Sequence, residues 1–196
     1  MADQAGNAAR WNTLCGGPRC RHSVVPQNPY LFGRSLAENI QLAVPDQKLS
    51  DERITEMLRR ACLLDELKVL PDGADTVVGE RGVTLSGGQR QRTALARAFA
   101  RHARIRLLDD ALSAVDHDTE QRLINSIYED AKECTTILVS HRVSVLSHAN
   151  HILVLHEGRV VQQGTHAELI VADGLYSNAW RKHQRSSRNE GGAVIV

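Results

Sequence analysis

Two carboxylates stand side by side at the end of a short apolar run, a pattern that suits phosphate chemistry. Asp109 and Asp110 follow the sequence Ile-Arg-Leu-Leu at residues 105–108. If that run is a strand, both side chains lie at its carboxyl end, where open α/β sheets place ligands. One carboxylate can hold a hard cation such as Mg²⁺ while the other orients a water molecule for attack on a phosphoryl group. These residues are therefore candidates for metal binding and catalysis.

A second candidate is the sequence Leu-Ser-Gly-Gly-Gln at residues 85–89, which precedes a helical pattern. Gly87 and Gly88 would let the backbone approach a phosphate, and the helix start would offer unpaired N–H groups and a positive dipole end. Ser86 adds a hydroxyl donor. The same residues also match an S-x-x-Q capping box, so taken alone they favour an ordinary helix start.

His141 follows the β-rich run at residues 135–140. Its imidazole could hydrogen-bond a terminal phosphate oxygen and report its presence. Taken alone, a histidine at a strand end is more often one that neighbouring groups satisfy.

The elements that must position these residues alternate between strands and helices. Apolar β-rich runs cover residues 105–108, 135–140 and 152–155, and helical patterns cover residues 118–129 and 144–147. This alternation predicts a parallel sheet covered on both faces. A short strand at 23–25 ends at Pro26, and further helices are predicted at 36–42, from an N-cap at Ser50 to about Leu67, from the glycine pair to about His102, and from a capping box at Thr165 to about Lys182.

Composition limits the choice of partners. The 196 residues are 42% apolar and 24% charged, with a net charge of +1, so overall charge gives no case for nucleic acid or an anionic membrane. No window approaches the ~18 consecutive apolar residues of a membrane span, and the N-terminus lacks a signal-peptide layout. Four scattered cysteines agree with a reducing compartment. Cys62 and Cys134 are expected to be small core residues.

The chain is predicted to contain an irregular arm at residues 1–22, one domain at 23–184 and a disordered tail at 185–196. Cys15, Cys20 and His22 within or beside the arm have loosely metal-like spacing. A structural zinc site needs four ligands, and the sequence shows no fourth ligand nearby. The arginines of the helix after the glycine pair are expected to lie on a solvated face with some ion pairs.

Five motifs occur in an order and spacing that closely resemble the nucleotide-binding domain of an ABC transporter. They are PQNPYLF at 26–32, VGERG at 78–82, LSGGQRQR at 85–92, RLLDDALSAVD at 106–116 and LVSHR at 138–142. The VGERG segment resembles the exporter subgroup, and the last two motifs resemble one half of a heterodimeric multidrug-type exporter. The resemblance covers about residues 23–184 and implies a partial P-loop NTPase fold, mainly a parallel sheet with a helical subdomain that carries the signature.

The resemblance also implies ATP and Mg²⁺ as cofactors and a role for each matching residue. Gln27 would be the Q-loop glutamine that contacts Mg²⁺ and the attacking water. Asp109 would hold Mg²⁺, Asp110 would occupy the general-base position, and His141 would be the switch histidine. In the head-to-tail dimer of this family, the signature and D-loop residues would serve a partner's nucleotide; here they are Ser86, Gly87, Gly88, Gln89 and Asp116.

Three features depart from the family pattern. No G-x-x-x-x-G-K-[ST] sequence occurs anywhere, so the amide cradle and lysine that grip the triphosphate have no counterpart. The resemblance therefore implies the C-terminal two-thirds of such a domain. Asp110 stands where catalytically strong members carry Glu. Arg106 lies inside an apolar strand, where a guanidinium does not fit burial on both faces.

The resulting hypothesis is an ATP-binding or ATPase domain fragment of an ABC exporter that couples ATP hydrolysis to solute efflux. Without a P-loop, the chain alone is expected to be inactive. Its predicted partners are an ABC-type subunit and a membrane domain, with no nucleic acid and only indirect membrane association. It would lie at the cytoplasmic face of the plasma membrane when assembled, and otherwise in the cytoplasm. The alternatives are a non-catalytic subunit that lends its signature to a partner and a truncated product without function.

Overall fold

A computed structural model describes residues 22–79 and 82–190, with side chains through residue 185. The chain forms two compact units, the first ending at Val139 and the second beginning at Ser140. The predicted domain bounds at residues 23–184 stay a prediction. The predicted arm, including Cys15 and Cys20, lies outside the described residues apart from His22, which begins the first strand.

The first unit contains a parallel sheet of three strands in the order β1-β4-β5. The strands are β1 (His22–Val25), β4 (Ile105–Asp109) and β5 (Thr135–Val139). Val25 pairs with Leu108 across β1 and β4, and Asp109 pairs with Val139 across β4 and β5. Because the pairing is parallel, all three carboxyl ends meet at one edge. This confirms the predicted α/β class and the parallel sheet.

The two faces of this sheet differ in burial. Val25, Arg106 and Leu108 are buried on one face, whereas Ile105, Ile137 and Val139 on the other face are 45 to 50% exposed. The prediction of a sheet covered on both faces is therefore wrong for the described residues. Apolar strand sequence alone does not reveal which neighbour, if any, covers each face.

Two helices pack around this sheet and carry the candidate site. Helix α4 (Gly87–Ala100) buries ten of its residues, and α5 (His117–Asp130) buries Leu123, Ile124 and Ile127. Both helices were predicted from periodicity within one or two residues of their bounds. Their long buried faces explain why the sequence pattern is clear.

Smaller elements complete the first unit. They are β2 (Arg34–Ser35) and β3 (Val77–Val78), which pair antiparallel, α1 (Leu36–Gln41), α2 (Asp51–Arg60), α3 (Leu64–Leu67) and a 3₁₀ turn (Gly73–Asp75). Ser50 caps α2 as predicted, with its hydroxyl accepting from the Arg53 N–H.

The helix predicted to reach Leu67 ends at Arg60. Cys62 adopts a left-handed φ of 55°, and the Leu63 N–H donates to the Leu58 carbonyl at 2.9 Å. A residue in this conformation closes a helix, and the task usually falls to glycine. Because the apolar sequence continues past Cys62, the periodicity conceals the break. Cys62 and Cys134 are both half-buried free thiols rather than fully buried core residues.

The second unit combines a β-hairpin with three helices. Strands β6 (Ile152–His156) and β7 (Arg159–Gly164) pair antiparallel, and the helices are α6 (Val143–Leu146), α7 (His166–Val171) and α8 (Leu175–Glu190). A core of Val143, Ile152, Leu169 and Tyr176 holds them together. The β-run at 152–155 thus belongs to a hairpin instead of the parallel sheet, and β7 was not predicted.

The final helical region also differs from its prediction. Two helices, α7 and α8, replace the single region expected from Thr165 to Lys182, although Thr165 does form the predicted capping box. The backbone of α8 continues to Glu190 and so includes the first six residues of the predicted tail. Residues 191–196 of that tail lie outside the described residues.

Candidate functional site

The paired aspartates lie at the carboxyl edge of the parallel sheet, as their place in the sequence predicts. Asp109 is the last residue of β4 and is exposed, and Asp110 follows it at a φ of 47°. Such a left-handed backbone is uncommon for a residue other than glycine, although aspartate tolerates it better than most. The Asp110 N–H donates to the Val139 carbonyl at 2.9 Å, which anchors this turn to the neighbouring strand.

Gln27 approaches the same edge from the adjacent strand. It lies two residues beyond the end of β1, after Pro26 stops the ladder, and its side chain is exposed. The Gln27 Nε2 donates a hydrogen bond to Asp110 Oδ2 at 3.2 Å. We call Gln27, Asp109 and Asp110 the acidic edge. The structure therefore brings Gln27 to the two aspartates, which follow it by 82 and 83 positions in the sequence.

A glutamine that the sequence analysis did not single out ties this edge to helix α4. Gln91 is only 4% exposed, and its Nε2 donates to the Gln27 carbonyl at 3.1 Å and to Ser113 Oγ at 2.9 Å. A longer contact of 3.4 Å joins the same nitrogen to the Asp110 carbonyl. Its Oε1 accepts from the Ala114 N–H at 3.0 Å. Gln91 thus holds the backbone on both sides of the acidic edge.

The signature segment, Leu85–Gln89, begins helix α4 through a complete capping box. Ser86 Oγ accepts from the Gln89 N–H at 3.2 Å, and Gln89 Oε1 accepts from the Ser86 N–H at 2.7 Å. The capping interpretation of these residues is confirmed. It is compatible with a ligand role, since Ser86 is exposed and Gly87 is half-buried.

The two signature glycines have different surroundings. A Cβ at Gly88 would lie 2.6 Å from the Ala114 carbonyl oxygen, whereas a Cβ at Gly87 would make an ordinary 3.5 Å contact with the Ala114 side chain. A side chain at position 88 would therefore clash with the backbone that follows β4, so glycine is required there. Gly87 is the one that leaves its surroundings open to a ligand.

Asp116 caps the next helix. Its Oδ1 accepts from the Thr119 N–H at 3.0 Å at the start of α5. This hydrogen bond, together with the Thr119 hydroxyl, lowers the pKa of Asp116. Asp116 is exposed, so capping leaves its side chain accessible. Its role toward a partner's nucleotide stays a prediction.

His141 lies in the second unit, immediately after Ser140. Its imidazole is exposed, and the Ser140 hydroxyl next to it accepts from the Arg142 N–H at 3.0 Å. The acidic edge, in contrast, belongs to the first unit. The role predicted for His141 therefore stays a prediction.

Of the arginines expected on a solvated face with some ion pairs, Arg90 is exposed, Arg97 and Arg101 are half-buried, and Arg92 is buried. Arg92 is 8% exposed, donates to the Cys62 carbonyl at 2.7 Å and forms an ion pair with Glu66. Arg97 donates to the Tyr30 carbonyl at 2.7 Å and to the Asn39 carbonyl at 2.9 Å. Burial lowers the pKa of Arg97 to about 10. Arg97 thus links the loop after Gln27 to α1, and Arg92 links α4 to the segment around α3. The sequence does not show these partners, because they lie on other elements.

The donor set fits a hard divalent cation better than it fits a triphosphate. Carboxylate oxygens of Asp109 and Asp110 and the amide oxygen of Gln27 are the ligand types that Mg²⁺ takes, usually through one or two carboxylates plus substrate phosphates. Among the described residues, no group of three or more His, Cys, Asp or Glu side chains gathers in a metal-binding arrangement. A glycine-rich lysine loop for the phosphates is missing from the sequence as a whole.

A parallel α/β sheet with paired aspartates, a glutamine at its carboxyl edge and an LSGGQ helix start is the arrangement of an ABC-type ATPase domain. A sequence model of the ABC transporter family matches residues 12–113. That match spans more than half of the chain, which therefore belongs to the ABC transporter family.

Individual proteins are also similar to this chain in sequence. ABC transporter aclQ of Aspergillus oryzae is 41% identical over 179 residues, covering 91% of this chain and 22% of the relative. The probable multidrug resistance ABC transporter ATP-binding/permease protein YheI of Bacillus subtilis is 41% identical over 169 residues, covering 86% and 28%. An ATP-dependent lipid A-core flippase of Legionella pneumophila is 43% identical over 172 residues, covering 88% and 29%.

A solved structure agrees with the sequence relatives. The structure of a bacterial Atm1-family ABC exporter with ATP bound matches with a TM-score of 0.76 and 38% sequence identity, over 84% of this chain and 29% of that one. The present chain thus spans between 22% and 29% of the length of these proteins. Within the described residues, no helix has both the length and the apolar character needed to cross a membrane.

Proposed function

We propose that this chain forms part of the ATP-binding domain of an ABC exporter. Its acidic edge would hold the metal ion and the attacking water of one nucleotide site. Its signature segment would contact the nucleotide of a second site. The observation that carries the proposal is the hydrogen bond from Gln27 to Asp110, beside Asp109, at the carboxyl edge of the parallel sheet.

The acidic edge divides the work between its side chains. Asp109 and the Gln27 amide oxygen would hold Mg²⁺, which would supply positive charge against the phosphate groups. The Gln27 Nε2 holds Asp110 Oδ2, and Asp110 Oδ1 has no hydrogen-bond donor among the described residues. That free oxygen can accept a hydrogen bond from water and orient it as a general base would.

The grip on the triphosphate must come from residues that this sequence does not contain. Phosphoryl transfer depends mainly on positioning and charge stabilisation, which a P-loop provides through its amides and lysine. Carboxylates without that cradle repel a triphosphate unless a cation lies between them. The chain alone is therefore expected to bind ATP weakly and only with Mg²⁺.

The signature face supports a head-to-tail partner. Ser86 is exposed, Gly87 leaves room for a ligand, and the first amides of α4 lie at the positive end of a helix of 14 residues. We infer that they contact a nucleotide held by an ABC-type partner subunit. The names of the relatives include a multidrug transporter and a lipid flippase, which supports efflux of a small amphipathic solute through a membrane domain. Such an assembly would place this chain at the cytoplasmic face of the membrane.

A second candidate function is a non-catalytic subunit that only lends this signature face to a complete partner. The exposed Ser86 and the open surroundings of Gly87 favour it. The two functions differ in whether the acidic edge contributes to hydrolysis, so they can be separated by substitutions at each place.

Equilibrium dialysis of the purified chain with labelled ATP tests the acidic edge. We expect weak binding that requires Mg²⁺ and disappears in Asp109→Ala. Micromolar affinity, or steady phosphate release that Asp109→Ala removes, would show that another part of the chain replaces the P-loop.

Stimulation of ATP hydrolysis in a reconstituted pair tests the signature face. Gly87→Asp should abolish stimulation, because like charges ~4 Å apart repel by about 4 kcal/mol at an effective dielectric constant near 20. Asn178→Asp adds an equal charge at an exposed position of α8 and should leave stimulation unchanged. Asp110→Asn should reduce hydrolysis if the acidic edge is catalytic and have no effect if the chain only lends its signature.

A further inference from the structure

The amino ends of β4 and β5 border a surface pocket of about 570 Å³. Its walls come from α2, the loop between α4 and β4, the start of β4 and the end of α5, and none of its lining residues belongs to the acidic edge or to the signature segment. Six arginines and four carboxylates line it, a formal excess of two positive charges. We call it the arginine pocket; its arginines are Arg53, Arg59, Arg60, Arg101, Arg104 and Arg106.

Two of the four carboxylates are already neutralised by arginines of the pocket. Asp130 accepts from Arg60 at 2.6 Å and also from Arg106, so one carboxylate balances two guanidinium groups. Glu56 accepts two hydrogen bonds of 2.7 Å from Arg59. Positive charge is therefore in excess where these groups meet.

Three arginines of the pocket have side-chain donors without an acceptor among the described residues. Arg106 is 2% exposed, and its Nε is buried without a hydrogen-bond partner among the described residues. The side chains of Arg53 and Arg104 form no hydrogen bond or ion pair with the described part of the chain, and Arg104 is exposed. A buried donor without an acceptor is costly, and native structures generally satisfy it with protein, water or ligand.

The geometry points to a binding site for a small multivalent oxyanion that carries phosphate or carboxylate groups. Guanidinium groups pair with such oxyanions through parallel, charge-assisted hydrogen bonds. A volume of about 570 Å³ lies within the range of small-molecule sites. Glu129 and Glu133 also line the pocket and repel anions. Binding therefore requires several anionic groups that engage Arg53, Arg104 and Arg106 together, and a single monovalent ion gains little.

Titration calorimetry with tripolyphosphate and, separately, citrate tests this inference on the full chain. EDTA in the buffer keeps divalent cations from the acidic edge, so failure of the proposed ATP function does not affect the result. We expect one equivalent of at least one of the two anions to bind, and the anion that binds shows whether phosphate or carboxylate groups are preferred. Inorganic phosphate should bind at least tenfold more weakly than tripolyphosphate.

Single substitutions locate the site. Arg104→Gln should weaken binding about tenfold, the loss of one charge-assisted hydrogen bond. Arg159→Gln removes the same charge from an exposed position of β7 and should have no effect. Absence of saturable binding by either anion, or equal weakening by both variants, would overturn the inference.

Cys134 supplies a second measurement that does not need a variant. Its thiol lines the pocket and is half-buried, as is the thiol of Cys62, which does not line it. The anion that binds should slow alkylation of Cys134 and leave Cys62 unchanged, measured on the separated peptides by mass spectrometry. Equal rates at Cys134 with and without that anion would contradict binding in the arginine pocket.

Discussion

Strand β4 ends in an aspartate that faces solvent, and its second residue is an arginine that is almost completely buried. At the carboxyl end, the Asp110 carboxylate accepts a hydrogen bond from the Gln27 side chain, and the Asp109 carboxylate is exposed. Arg106 near the amino end donates to Asp130 and to the Ala98 carbonyl, and lies 5.5 Å from the Phe99 ring centre. One strand of five residues thus carries an exposed aspartate at its carboxyl end and a buried arginine near its amino end.

The difference shows that burial of a charge depends on its partners more than on its strand. From sequence alone, Arg106 is not expected to be buried in β4, because the rest of that strand before Asp109 is apolar. That prediction is wrong: α4 and α5 supply a carbonyl, an aromatic face and a carboxylate to the guanidinium group. At the other end the carboxylates remain accessible, as a site for a cation and phosphate requires.

The largest loss of stability is expected when the buried Arg106 loses its carboxylate partner. Asp130→Ala removes the carboxylate that Arg60 and Arg106 share and should lower the free energy of unfolding by about 3–5 kcal/mol, since a buried charge loses its partner. Arg106→Met should cost less, because Asp130 keeps Arg60 and an apolar side chain enters an apolar strand. Urea unfolding of both variants measures the difference. Equal losses would mean that the ion pair does not dominate this end.

Substitution of Gln91, which supports the acidic edge, should lower the free energy of unfolding less than Asp130→Ala does. Gln91→Leu leaves the Gln27 carbonyl and the Ala114 N–H without their buried partner and should lower the free energy of unfolding by about 2–3 kcal/mol. Gln91→Glu sets a buried carboxylate oxygen against the Gln27 and Asp110 carbonyls, so it should destabilise at least as much as Gln91→Leu. A neutral Gln91→Leu variant would contradict the linking role of this side chain.

The start of α4 offers a milder test at the same end. Ser86→Ala removes the capping hydroxyl and should cost about 1 kcal/mol. Ser86→Asp keeps a cap and should restore most of that stability. Thermal unfolding followed by circular dichroism would show both changes, and a Ser86→Ala variant as stable as wild type would contradict the capping role.

The smallest effect on stability is expected on the exposed face of the sheet. Ile137 and Val139 are 50% and 46% exposed, so Ile137→Thr with Val139→Thr should change the free energy of unfolding by less than about 0.5 kcal/mol. The same exposure should make the chain self-associate. Light scattering should therefore show smaller particles for the double variant. A monodisperse wild-type monomer would contradict this prediction.

Local signals account for what the sequence predicted well. The strand endings at Pro26 and Asp109, the caps at Ser50 and Ser86 and the long buried faces of α4 and α5 each depend on a few neighbouring residues. The approach of Gln27 to Asp110 was expected only because both motifs resemble one family. The family assignment is confirmed, and the roles of the individual site residues remain predictions.

What the sequence did not predict depends on contacts between distant residues. The helix break at Cys62 is a backbone conformation that an apolar run does not disclose. Strand β7 follows a turn at Glu157 and Gly158 and pairs with a run that alone suits either a hairpin or a parallel sheet. The partners of Gln91, Arg97 and Arg106 lie on other elements, so these residues looked like an ordinary helix face or an error in a strand.

The contacts of Gln91 have a mechanical consequence. Ser86 and Gln91 belong to the start of one helix, five positions apart, and the Gln91 side chain holds the backbone of Gln27 and Asp110. A displacement of α4 by a molecule that binds at Ser86 would therefore pull on the acidic edge directly, without a hinge between them. We therefore expect the signature segment and the acidic edge to move together, because the Gln91 amide joins α4 to the backbone of both Gln27 and Asp110.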